Sequence, residues 1–226
     1  MNRAIILAGG SGTRFLSKVP KQFSLLHGRP LVDFSIVACA LSANVENLLV
    51  VCHRDYIEEI RTLIGTFEHG RVEIIPGGRD RIDSTLLGFR HLSPKEGDIT
   101  FLLEANRPFV TTEHVDRIYQ DFLQKQANCA FYFSPIMESL FSMKGDNLEW
   151  TDRSVFGVSQ TPYVLDFLSV EAILENSEMI CGDNSDILSV LPASLKRIPV
   201  NSGFNNLKIT YPEHMDYAEY LMDRKI

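Results

Sequence analysis

Arg3-Ala4-Ile5-Ile6-Leu7-Ala8-Gly9-Gly10-Ser11-Gly12-Thr13-Arg14 begins two residues into the chain. A short apolar run that stops at glycines is the mark of a strand buried on both faces, and such strands belong to parallel sheets. The same pattern recurs downstream. Val45–Cys52, Val72–Ile75, Ile99–Leu103 and Cys129–Phe133 read as further strands. Between them, 30–41, 55–67, 80–91 and 112–125 carry apolar residues at helical spacing. Thr111 or Thr112 is placed to cap the last of these, with Glu113 in its first turn. Helices are expected again at 162–175, 183–191 and 212–223. Strands alternating with helices at short spacing imply an α/β fold, a Rossmann-like, mostly parallel sheet flanked by helices.

The rhythm breaks between 134 and 160. Weak alternation over Met137–Met143, a turn at Lys144-Gly145-Asp146-Asn147 and a return strand within 148–158 describe a β-arm, at about 136–158, projecting from one domain that spans 1–226. Phe141, Trp150 and Phe156 on such an arm suit a contact between two copies of the chain. The 226 residues, 45% hydrophobic and 23% charged, suffice for one sizeable core. A net charge of -7 argues against a nucleic-acid binder, though not against a local basic pocket. No apolar run approaches the roughly 20 residues that cross a bilayer, and the N-terminus lacks the shape of a signal peptide, so a cytoplasmic protein is expected. Cys39, Cys52, Cys129 and Cys181 stand far apart in apolar surroundings and read as buried reduced thiols, with neither a zinc site nor a disulfide framework.

Three loops that follow strands carry chemistry: Gly9-Gly10-Ser11-Gly12, Pro76-Gly77-Gly78 and Glu104-Ala105-Asn106-Arg107. In a parallel sheet all three lie at the carboxyl edge, where ligands bind. Glycines let the first loop turn several N–H groups toward an anion, and Arg14 with Lys21 of Pro20-Lys21-Gln22-Phe23 adds fixed positive charge. Such a set can hold a triphosphate and stabilise charge on a departing pyrophosphate. It is not a dinucleotide fingerprint, because the residue three after Gly12 is Phe15, and it is not a P-loop, because no Gly-Lys-Ser/Thr follows.

The loop resembles that of nucleotidyltransferases that activate sugar or polyol phosphates. Along nearly its whole length the chain resembles the methylerythritol-phosphate and ribitol-phosphate cytidylyltransferase family. The resemblance rests on Gly77-Gly78-Arg79-Asp80-Arg81-Ile82-Asp83-Ser84, on Ala105-Asn106-Arg107-Pro108-Phe109, on Ser159-Gln160-Thr161-Pro162 and on Asn205-Asn206-Leu207-Lys208-Ile209-Thr210, in that order. It implies transfer of CMP from CTP to a small phosphorylated acceptor, with a divalent ion such as Mg2+ and release of pyrophosphate. It implies that Ala8, Gly9, Gly10, Ser11, Gly12 and Thr13 cradle the triphosphate. Arg14, Lys21 and Lys208 would be catalytic, and Gly77, Gly78, Arg81, Ser84, Glu104 and Ala105 would bind the nucleotide. The acceptor phosphate would meet Ser139, Arg153, Arg107 and Lys208, with Arg153 reaching across a homodimer on the arm.

Two departures fall on the acceptor side. The family's usual His-Asp-Ala is Leu103-Glu104-Ala105 here, and its Asp-Thr pair on the arm is Glu138-Ser139. Glu104 keeps a carboxylate, one methylene longer, and is the candidate metal ligand. These changes point to an acceptor other than methylerythritol phosphate, such as ribitol phosphate or a phosphorylated or phosphonate precursor of a surface polymer. The alternatives are a nucleotidyltransferase that uses another nucleoside triphosphate and a nucleotide-binding regulator without turnover. His53 after Cys52 reads as a packed strand end, and Asp183, Ser185 and Asp186 as helix caps. His114 and His214 read as solvent-facing residues near helix starts, and Tyr211, Tyr217 and Tyr220 as a packing stripe.

Overall fold

The computed structural model describes residues 1–10, 15, 20–64, 72–180 and 186–224. Strand β1 (Asn2–Ala8) lies in a seven-stranded sheet. A two-stranded ribbon, β2 (Leu25–Leu26) and β3 (Arg29–Pro30), leads into α1 (Leu31–Ala40). There follow β4 (Asn47–Cys52), α2 (Ile57–Ile64), β5 (Val72–Pro76), α3 (Arg81–Leu92), β6 (Ile99–Glu104), α4 (Thr112–Gln124) and β7 (Cys129–Pro135). The arm is the hairpin β8 (Leu140–Lys144) and β9 (Asn147–Thr151). The chain returns through β10 (Gly157–Asp166), α5 (Phe167–Glu175), β11 (Arg197–Asn201) and α6 (Glu213–Asp223).

The sheet order is β11-β7-β10-β6-β1-β4-β5. All pairings are parallel except those of β10, which runs antiparallel to both β6 and β7. Side chains of β1 alternate between the two faces, and both faces are covered. Ala4, Ile6 and Ala8 join α1, α2 and α4 through Val32, Ile36, Ile60, Val115, Ile118 and Phe122. Ile5 and Leu7 join α3 and α5 through Leu86, Phe89, Val170 and Ile173. Burial on both faces is why β1, β4 and β6 read as unbroken apolar runs. Cys39, Cys52 and Cys129 are buried and free, and Cys181 lies outside the described residues.

Three element assignments need correction. The segment 162–175 is not all helix: residues through Asp166 complete β10, and α5 starts at Phe167, capped by the Asp166 side chain on Ser169 N–H. The described part of 183–191 is a single 3-10 turn, Ile187–Val190, capped by Asp186, while Asp183 and Ser185 lie outside the described residues. β11, a short edge strand, is additional to the strands read from sequence. No helix among the described residues is long and apolar enough to cross a membrane.

Candidate active site

The parallel strands β1, β4, β5 and β6 end together, and the glycine-bearing loops leave from that edge. There an open cleft of about 490 Å³ is lined by Ala8, Gly9, Gly10, Lys21, Gly78, Arg81, Ser84, Glu104, Ala105 and Lys208, among others. Ser11, Gly12, Thr13 and Arg14 lie outside the described residues.

The start of the first loop is anchored from below. Gln22, 2% exposed, donates its side-chain amide to the Ala8 carbonyl at 2.7 Å. Lys21 Nζ donates to the Ile209 carbonyl at 3.1 Å, so this cation already bridges to the loop that carries Lys208. The second loop is tight. Gly77 N–H donates to the Cys52 carbonyl at 2.7 Å, and Gly78 N–H to Ser84 Oγ at 3.0 Å. A Cβ on Gly77 would stand 2.9 Å from Ser84 Oγ, and one on Gly78 would stand 2.5 Å from Asp83 Oδ2. A side chain at either position would have to displace Ser84 or Asp83. Asp80 caps α3 through Asp83 N–H at 2.8 Å, which brings Arg81 and Ser84 into the first turn of that helix.

Glu104 ends β6 and is 6% exposed. Its Oε1 accepts from Arg81 Nε at 2.9 Å and from Lys208 Nζ at 2.8 Å. Its Oε2 accepts from Arg107 Nε at 3.0 Å and from Thr161 Oγ1 at 3.3 Å. Burial pushes the carboxyl pKa up, but Arg107, Arg81 and Lys208 outweigh it and hold the group well below its ordinary 4.5. One negative charge thus gathers three positive ones. Arg81 and Lys208 remain about one-third exposed, at 33% and 39% of their side chains, and both line the cleft.

The Ala105-Asn106-Arg107 block fastens the last loop. Asn106 donates to the Ile209 carbonyl and accepts from Ile209 N–H on its own carbonyl, both at 2.8 Å. Arg107 donates to the Asn206 carbonyl at 2.8 Å, and Asn206 donates to that of Thr161, also at 2.8 Å. These bonds set where Lys208 emerges.

Several expectations change. Arg107, 6% exposed, is absent from the cleft wall and braces Glu104 and the Asn206 loop rather than facing an acceptor. Glu104 has both oxygens engaged and is no metal ligand in this arrangement. Among the described residues no group of three His, Cys, Asp or Glu stands together as a metal site. Gly77 lies behind the cleft wall, shaping the loop. Ser139 and Arg153 sit on the arm, away from this chain's cleft, with Arg153 donating to the Met137 carbonyl. His114 does not face open solvent: it stacks on Phe204, centroids 3.6 Å apart. His214 Nδ1 lies 2.9 Å from the Lys208 carbonyl. The wall also includes His53, Arg79, Asp80, Asn106 and Thr210, most of them next in sequence to a residue already singled out.

The 2-C-methyl-D-erythritol 4-phosphate cytidylyltransferase family matches residues 3–224. The chain belongs to that family. The protein of that name from Lachnospira eligens is 31% identical over 96% of this chain and 97% of its own length. One from Clostridium botulinum is 26% identical over 99% and 98%. The crystal structure of 4-diphosphocytidyl-2C-methyl-D-erythritol synthase from Anaerococcus prevotii superposes with a TM-score of 0.82 at 20% identity, over 99% of this chain and 96% of that one. The Thermus thermophilus cytidylyltransferase gives 0.70 at 19%, over 97% and 98%. At these identities the two structures speak for the fold. Family membership makes the chain an enzyme, a nucleotidyltransferase of the cytidylyltransferase type.

Proposed function

We propose that this member of the family transfers CMP from CTP to a small phosphorylated polyol and releases pyrophosphate. The observation that carries this reading is the meeting of Lys21, Lys208, Arg81 and the Gly78–Ser84 loop on one cleft. An acceptor phosphate oxygen attacks the α-phosphorus in line. The new P–O bond forms as the bond from that phosphorus to the bridging oxygen breaks, and pyrophosphate carries away the electron pair. Phosphate monoesters are largely ionised near neutrality, so no strong general base is needed. Two anions must approach each other, and positioned cations offset their repulsion. In this reading Lys21 and Lys208 meet the phosphates, with Arg14 from the first loop, while Ser84 and Gly78 hold the nucleoside. A divalent ion such as Mg2+ would come in with the triphosphate and offset its charge.

The relatives' names make 2-C-methyl-D-erythritol 4-phosphate the first acceptor to test. One observation favours a second reading, a different polyol phosphate or a phosphonate. Where the family usually has Asp, this chain has Glu104, whose two oxygens accept four hydrogen bonds and leave little for acceptor hydroxyls. Initial rates on a panel of acceptors with magnesium and CTP decide between the two. The exposed apolar arm supports a homodimer in which Ser139 and Arg153 serve the partner's acceptor pocket. Lys21→Ala tests the reaction itself. Loss of one charge contact to the transition state is expected to lower pyrophosphate release by about 100- to 1,000-fold with the fold retained. A near-normal rate in that variant overturns the assignment.

A further inference from the structure

His53 follows Cys52, the last residue of β4, and lines the cleft. β4 lies between β1 and β5, with Cys52 paired to Ala8 on one side and to Pro76 on the other. The next residue therefore emerges between the turn that begins at Gly9 and the loop that begins at Gly77. A ligand spanning the two glycine loops has to pass His53.

Local contacts orient the ring. Nδ1 accepts from Asp55 N–H at 3.3 Å, so the neutral ring carries its proton on Nε2. The Asp55 carboxylate stands 3.6 Å from the same nitrogen, beyond hydrogen-bond reach. Nε2 is a donor in the neutral and the protonated ring alike, and it has no partner among the described residues. The ring sits edge-on to Tyr56, centroids 6.1 Å apart, and Tyr56 stacks on Phe23 at 5.0 Å. Phe23 shares its 3-10 turn with Lys21 and Gln22, both on the cleft wall. His53 is thus braced to the segment that carries Lys21, while its own side chain stays 45% exposed.

We infer that His53 recognises the nucleobase, its Nε2–H donating to a carbonyl oxygen of the pyrimidine. This rests on CTP being the substrate. The loop from Gly77 to Ser84 closes on itself through Gly78 N–H and Ser84 Oγ at 3.0 Å, and Gly78, Arg81 and Ser84 line the cleft together with His53. Lys21 and Lys208 stand on other segments and are the cations placed for the phosphates, which leaves the Nε2–H donor at the end of β4 to the base. Cytosine and uracil both present the carbonyl O2, so the contact strengthens pyrimidine binding without choosing between them.

Titration calorimetry on the full chain tests this with CTP, CMP and inorganic tripolyphosphate as probes. His53→Ala is expected to weaken CTP and CMP by the same factor, about threefold to tenfold for one neutral hydrogen bond, and to leave tripolyphosphate unchanged. His53→Gln, which keeps a side-chain N–H donor, is expected to recover most of the loss. Unchanged CTP affinity in the alanine variant, an equal loss for tripolyphosphate, or no recovery with glutamine overturns the inference alone. Failure of the wild-type chain to bind CTP overturns the nucleotide reading and this inference with it.

Discussion

At Glu104 burial and charge pull against each other, and charge wins because three cations close on one carboxylate. Arg107 depends on it most, since its side chain is 7% exposed. Glu104→Gln keeps the shape and removes the charge, leaving that guanidinium buried beside a neutral amide. Stripping a buried ion of its counter-charge costs about 3–5 kcal/mol. For a chain of this size the unfolding midpoint is then expected to fall by roughly 10 °C. A midpoint within about 2 °C of wild type in thermal denaturation would show that the cluster contributes nothing to stability. The pH dependence has a definite sign. Because the folded pKa lies below 4.5, this contribution is full above that value and is lost as pH falls below it, and the glutamine variant lacks that part of the acid limb. Sequence singles out Glu104 and Arg107 but not the cluster they form. A spacing of three residues brings that pair together, whereas nothing local shows Arg81, 23 residues away, and Lys208, 104 residues away, closing on the same oxygen.

Among the elements, those legible in sequence are the ones whose pattern has a single reading. β1, β4 and β6 are apolar throughout because helices cover both faces of the sheet. The part of β10 from Pro162 reads as the start of a helix because an apolar run such as Tyr163-Val164-Leu165 suits a buried strand and a buried helix equally, while its first residues fall in the expected return strand. β11 is short, holds Pro199 and lies at the sheet edge beside β7, so its pattern is faint. The start of α4 was placed well, but its cap works through an unexpected residue. His114 Nδ1 accepts from Thr111 N–H at 3.1 Å, which requires that nitrogen to be unprotonated. Burial first, and Arg117 after it, lower the His114 pKa, against an opposing push from Glu113. Phe204 covers the ring, and Tyr132 Oη donates to the His114 carbonyl at 2.8 Å. With the folded pKa below the ordinary 6.5, the cap contributes fully above that value and is lost as pH falls through it. Urea midpoints are therefore expected to decline from pH 7 to about 5.5, with a part near 1 kcal/mol due to this cap. His114→Gln retains an acceptor at the same helical position and should flatten that part of the slope. An unchanged slope in the variant would remove His114 from the account.

Across the whole molecule, charge and apolar surface are both unevenly placed. A chain of net charge -7 brings Lys21, Arg81 and Lys208 to one cleft, so a basic pocket sits in an acidic body. The Gly9, Gly77 and Glu104 loops of this pocket are legible because each follows a strand end, and parallel strands deliver their ends to one edge, whereas Lys208 lies beyond β11, whose pattern is faint. The use of the arm is not written in one chain's contacts. Trp150 is 69% exposed, Val155 76% and Phe156 47%, and Phe141 packs only edge-on against Trp150 at 5.3 Å. Exposed apolar side chains on the hairpin and on the turn that follows it suit a partner surface, and a second copy would supply the same patch under two-fold symmetry. If that copy covers them, Trp150→Ser combined with Phe156→Ser should convert a dimer to a monomer in sedimentation velocity, with the far-ultraviolet circular dichroism unchanged because neither side chain belongs to the core. Arg153 and Ser139 stand on the same arm, outside this chain's cleft. The monomer should therefore show a KM for the phosphorylated acceptor raised by at least about tenfold, the loss of one charge-assisted contact, while its KM for CTP stays within twofold. Equal increases for both substrates would mean that the arm shapes the cleft from within one chain, and a wild-type monomer would remove the shared pocket altogether.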